Sequence, residues 1–106
     1  MSLLHTPESG PVANSIKNKL EKAFTPVKLV LTDNSHLHLG HAEAKEAVES
    51  HFDLLIIAEI FQDESKISRQ RSIYSVLSEE MKEKIHALSI TALTPQEYLS
   101  KKNKIL

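Results

Sequence analysis

Apolar residues recur along this chain with two different periods, and the switches between them mark out six elements. Gly10-Pro11 opens the first, because proline suits the first position of a helix. Val12, Ile16, Leu20, Ala23 and Phe24 then form one stripe, with Lys17, Lys19, Glu21 and Lys22 on the other sides. That spacing predicts an amphipathic helix, ended by Pro26. Val27, Leu29 and Leu31 alternate with Lys28 and Thr32 and predict a half-buried strand. His51–Ile60 is the most apolar run. Phe52, Leu54, Ile56 and Ala58 would line one face and Leu55 and Ile57 the other, the pattern of a strand that is central or covered twice. After a turn over 61–65, residues 66–84 carry Ile73, Val76, Leu77 and Met81 at helical spacing, with a bend expected near Arg71. Ile85–Thr91 alternates as a third strand. Thr94-Pro95-Gln96-Glu97 has proline at the first helical position and the Thr/Glu spacing of a capping box, so it opens a short last helix.

Three stretches lack such periodicity. Residues 1–10 read as a loose tail and residues 101–106 as a basic, fraying one. Residues 33–50 are polar and histidine-rich, too long for a hairpin turn, with at most a helical turn near 42–48. Loops of that length in compact domains tend to be functional or mobile. The expectation is one domain over residues 11–100, in the order α-β-β-α-β-α. A helical crossover makes the second and third strands parallel if they are neighbours. The class is α+β, a three-stranded mixed sheet covered by helices on one face.

Composition narrows the chemistry. With 13 basic against 14 acidic residues the net charge is −1, so strong nonspecific binding of nucleic acid would need a local patch. The 2 glycines, Gly10 and Gly40, cannot supply the Gly-x-x-Gly clamp of ordinary KH-type RNA binding. The absence of cysteine excludes disulfides, thiol catalysis and a metal site held by this chain's own thiolates. No apolar run approaches the roughly 20 residues of a membrane span, and a secretory signal is not expected, since the first residues lack its basic region and long apolar run. A cytoplasmic protein is expected.

Histidines and carboxylates remain as the metal-capable groups. His36, His38 and His41 share the long loop and His51 follows it, a spacing that can gather imidazoles around zinc, copper or iron; equally, surface loops carry histidines with no such role. Alternation puts His86 in the third strand beside Leu88 and Ile90, as a half-buried residue. Lys66, Arg69 and Arg71 open the second helix. Positive charge is mildly unfavourable there, a weak pointer to an anionic partner against the plainer reading of a solvated helix end. Glu79-Glu80 reads as a solvated face, its two carboxylates pointing in different directions. No catalytic constellation is present, so an enzyme is not expected.

Several of these pieces together resemble the BolA family. The carrying residues are Asp33-x-Ser35 with His38, Gly40 and His41, then Ser50-His51-Phe52. They continue with Arg69-Gln70-Arg71-Ser72-Ile73-Tyr74-Ser75-Val76-Leu77, Glu79-Glu80-Met81, Ile85-His86-Ala87-Leu88-Ser89-Ile90 and Thr94-Pro95-Gln96-Glu97. The resemblance runs from about Val12 to Leu99. Gln70 departs from it, since many members have histidine there. It implies a class II KH-like fold and partnership with a monothiol glutaredoxin in iron–sulfur trafficking or iron sensing. A bridging 2Fe–2S cluster would take a cysteine from the glutaredoxin, a thiolate from glutathione, and two imidazoles from this chain. His86 would be one. His38 is the first choice for the other, with His41 second and His51 third. A shared site suits a chain without thiolates, the normal cluster ligands. Lys66, Arg69, Arg71 and Tyr74 would contact the partner or, in the alternative reading, DNA, as some bacterial members are transcriptional regulators of shape and stress responses. The free chain is expected to be a monomer or weak homodimer.

Overall fold

A computed structural model describes residues 10–34 and 51–105, with side chains to residue 102. Helix α1 (Pro11–Phe24) leads into β1 (Lys28–Asp33). Strand β2 (His51–Ile57) ends in a tight 3-10 turn at Glu59–Phe61. Helices α2 (Lys66–Val76) and α3 (Ser78–Glu83) follow, then β3 (Ala87–Leu93) and α4 (Pro95–Ile105). The sheet order is β1-β2-β3, antiparallel between the first pair and parallel between the second. Strand β2 is therefore central, as its two apolar faces implied.

One face of the sheet carries the core. Ile16, Leu20 and Phe24 of α1 pack with Phe52, Leu54 and Ile56 of β2, Ile73 and Leu77 of the second helical region, Ile85 and Ala92. Phe24 and Phe61 meet as tilted rings with centroids 5.3 Å apart, fastening the end of α1 to the turn after β2. Burying such side chains contributes about 1.5–3 kcal/mol each, so this cluster dominates stability. Register places Lys28, Ile57 and Leu93 side by side on the opposite face. There Ile57 and Leu93 are buried, near the end where Lys28 Nζ lies 5.6 Å from the ring centre of Tyr98 on α4. Toward the other end of that face Val30, Thr32, Asp53, Ser89 and Thr91 are exposed.

Several local expectations change. In α1, Ala13 is buried in place of Ala23. Val27 is 65% exposed and precedes β1, which begins at Lys28. The second helical region breaks at Leu77 rather than near Arg71 (φ −100°, ψ 21°). The break turns Leu77 into the core and Glu80 toward α1. Helix α4 runs on to Ile105, so the backbone of 101–105 is helical and not a separate tail. The capping box at its start is present in full. The Glu97 amide donates to Thr94 Oγ1 (3.2 Å) and the Thr94 amide to Glu97 Oε1 (3.0 Å).

Candidate functional site

Parallel pairing brings the two ends of the second crossover together. His51 is the first residue of β2 and lies in register with Ala87, the first residue of β3. His86 precedes Ala87 directly, so the two imidazoles meet at one end of the sheet. Their ring centroids are 5.9 Å apart and their planes nearly perpendicular, at 87°. His86 stands on the bend before β3 and is exposed, not half-buried within the strand. The cause lies upstream. The Ile85 amide donates to Glu80 O (2.8 Å) and its side chain is buried, so residue 85 is tied to the end of α3 and the ladder starts at Ala87.

Beside His51 a shallow depression of about 300 Å³ is lined by Asn34, Phe52, Asp53, Ala87, Leu88 and Ser89. Its rim is fixed from β1: the Asn34 amide donates to His51 O (2.7 Å) and Asn34 Nδ2 to Asp53 Oδ2 (2.6 Å). His38 and His41, with His36, fall within residues 35–50 and lie outside the described residues. That segment leaves after Asn34 and returns at His51, both at this same end of the sheet. Among the described residues no group of three or more His, Cys, Asp or Glu forms a metal cage. Two imidazoles without a thiolate fit a cluster whose sulfur donors come from elsewhere, and do not fit one held by these residues alone.

The basic residues of α2 part company. Lys66 and Arg71 are exposed, and Tyr74 is 38% exposed. Arg69 is 4% exposed and engaged within the fold. Its Nε donates to Glu64 O (3.0 Å), Nη1 to Ala92 O (3.0 Å) and to Glu97 Oε1 (2.7 Å), and Nη2 to Glu97 Oε2 (3.1 Å). The guanidinium also lies 5.8 Å from the ring centre of Phe61. The anionic partner that its position called for is thus Glu97 of the same chain, which corrects its assignment as a contact residue. The Arg69 hydrogen bonds, helped by the Thr94 amide and opposed by burial, hold the Glu97 carboxyl down to about 2.

Glu80 is a second correction. It is 5% exposed rather than on a solvated face. Ser15 Oγ donates to it (2.7 Å) and Lys19 Nζ lies 2.9 Å from its carboxylate. Burial alone would raise its pKa; the bonds from Ser15 and Lys19 outweigh that and leave it below the ordinary value. Glu79 stays exposed.

The family model described as BolA-like protein matches residues 20–97. This chain belongs to the BolA family. SufE-like protein 1, chloroplastic/mitochondrial, of Arabidopsis thaliana is 44% identical over 86 residues, 77% of this chain but 23% of that protein. Protein BOLA1, chloroplastic, of the same plant is 38% identical over 89% of this chain and 62% of its own length. The chain thus spans less than two thirds of either relative. A DNA-binding transcriptional regulator BolA of Haemophilus influenzae is 36% identical, with 78% of this chain and 77% of that one covered. Among solved structures, the BolA domain of Arabidopsis SufE1 superposes with a TM-score of 0.73 at 43% identity, covering 83% of this chain and 96% of that domain. Arabidopsis BolA1 gives 0.74 at 39% identity, covering 80% and 93%. BolA members with this α+β fold therefore share both sequence and architecture with the chain. No helix among the described residues is long and apolar enough to cross a membrane.

Proposed function

We propose that this BolA-family chain is a non-enzymatic adaptor that pairs with a monothiol glutaredoxin and shares a bridging 2Fe–2S cluster with it and glutathione. The observation that carries the reading is the convergence at one end of the sheet. An exposed His86 stands beside His51, at the point where the segment bearing His38 and His41 leaves and returns. The cluster would supply electron or iron–sulfur transfer. This chain's part is to present imidazole nitrogens at the end of the sheet, with His86 as one ligand and His38, His41 or His51 as the other. The test is co-expression with a monothiol glutaredoxin, reading iron content and the visible spectrum. His86→Ala should abolish the wild-type spectrum, and one of His38→Ala, His41→Ala or His51→Ala should change it. A coloured complex unaltered by all four variants would overturn the reading. The cytoplasm remains the proposed compartment, although the two plant relatives carry chloroplast or mitochondrial names.

DNA binding is the second reading, favoured by the name of the Haemophilus relative. With Arg69 turned inward, it rests on Lys66, Arg71 and the α4 lysines. A gel shift whose affinity falls steeply with salt, and less steeply for Lys66→Ala/Arg71→Ala, would support it. A flat salt profile would count against it.

A further inference from the structure

Glu80 binds in two directions. Its carboxylate accepts from Ser15 Oγ on α1 (2.7 Å) and pairs with Lys19 Nζ, one helical turn further on, at 2.9 Å. Its main-chain carbonyl accepts the amides of both Lys84 and Ile85, each at 2.8 Å. The same residue therefore joins α3 to α1 and closes the end of α3. His86 comes next after Ile85, whose side chain is buried, and Ala87 then enters register with β2. So His86 stands between two fixed points, the ladder on one side and the Glu80 carbonyl on the other. Helix α3 has six residues (Ser78–Glu83) and follows the break at Leu77; a helix that short keeps its place only through tertiary contacts.

Stability alone does not call for an ion pair at this spot, since apolar side chains of similar volume often replace buried pairs without loss. What the carboxylate adds is direction. Its oxygens accept where Ser15 Oγ and Lys19 Nζ stand, which fixes how α3 is turned about its own axis and where its last carbonyls point. We propose that Glu80, with Ser15 and Lys19 as its partners, is a positioning residue for His86, setting through α3 where that imidazole sits at the end of the sheet. The functional weight of this inference rests on the reading of His86 as a cluster ligand; the placement itself is a property of the free chain.

The test follows the His86 ring signals by NMR in the free full chain. Glu80→Leu fills the same space without an acceptor, and should shift those signals and the amide signals of 84–87. Glu80→Gln keeps an acceptor for Ser15 Oγ and should hold them close to wild type. Ser15→Ala/Lys19→Met removes the α1 partners with good helix formers and should shift them as Glu80→Leu does, so the test survives if Glu80→Leu fails to fold. Glu97→Gln, which weakens the fold at the far end of β3, should leave them in place. Unmoved His86 signals in a folded Glu80→Leu or Ser15→Ala/Lys19→Met chain would overturn the proposal, and so would an equal shift in Glu97→Gln. The second arm measures cluster loss from the complex with a monothiol glutaredoxin, which should be about tenfold faster for Glu80→Leu than for wild type. A wild-type rate despite displaced His86 signals would overturn the functional part. Failure of the wild-type chain to give a coloured complex would sink the adaptor reading and leave the NMR arm to decide the placement.

Discussion

Arg69 and Glu97, held by helices on either side of β3, form a two-point ion pair with Nη1–Oε1 at 2.7 Å and Nη2–Oε2 at 3.1 Å. The same carboxylate accepts the Thr94 amide, and the same guanidinium reaches the carbonyls of Glu64 and Ala92. One side-chain pair thus ties α2, the end of β3 and the start of α4 together.

Removing Arg69 should be severe. Breaking a buried pair costs about 3–5 kcal/mol; Glu97 is 39% exposed and can recover water, so Arg69→Ala should fall at the lower end. Arg69→Lys should rescue little, since an ammonium cannot make the planar fork. Urea unfolding of the three proteins measures both effects.

Acid should weaken the fold through the same pair. The Glu97 carboxyl has its folded-state pKa at about 2, against an ordinary 4.5. The unfolded chain therefore binds more protons between these values, and stability falls with pH across that window. Above pH 4.5 this contribution is fully present. Urea midpoints from pH 6 down to 2 should show the decline, and Glu97→Gln should flatten it while lowering stability at neutral pH.

Glu79 and Glu80 should behave oppositely despite their adjacency. Glu80→Ala removes the buried acceptor of Ser15 and Lys19 and should cost about 1–3 kcal/mol. Glu79→Ala alters an exposed side chain and should stay within about 0.5 kcal/mol. Paired thermal melts decide this.

Thr25 holds a left-handed backbone (φ 45°, ψ 58°) at the end of α1, where its amide donates to Glu21 O. A β-branched residue is strained there and glycine is not. Thr25→Gly should raise stability by about 0.5–1 kcal/mol, the strain relief outweighing the extra freedom of the unfolded chain. A lowered melting temperature would contradict it.

Sequence periodicity revealed much of what is local. The α1 stripe apart from Ala23, the doubly apolar β2 and the Thr94–Glu97 capping box all depend on spacings of four residues or fewer, and all are present. Among the side chains of the candidate site and its supports, the departures involve distant partners. Nothing near Glu80 in sequence announces burial, because Ser15 and Lys19 lie more than sixty positions away. Arg69 looked solvent-facing because Ala92 and Glu97 are 23 and 28 residues off. Among the described residues His51, ranked third of the loop-side candidates, lies beside His86, a neighbourhood that strand register creates and sequence spacing does not announce. A two-residue shift in the expected start of β3 was enough to misplace His86 from a bend onto a strand.

The bond from Arg69 to Ala92 O also guards against unwanted association. Leu93 O accepts from the Ala58 amide on the β2 side, and carbonyls alternate along a strand, so Ala92 O faces outward from the sheet's border. A bare outward carbonyl can template another chain's amide. Here a guanidinium already occupies it, and strand-to-strand stacking of neighbouring molecules is blunted at that end of β3 by a residue anchored inside the molecule.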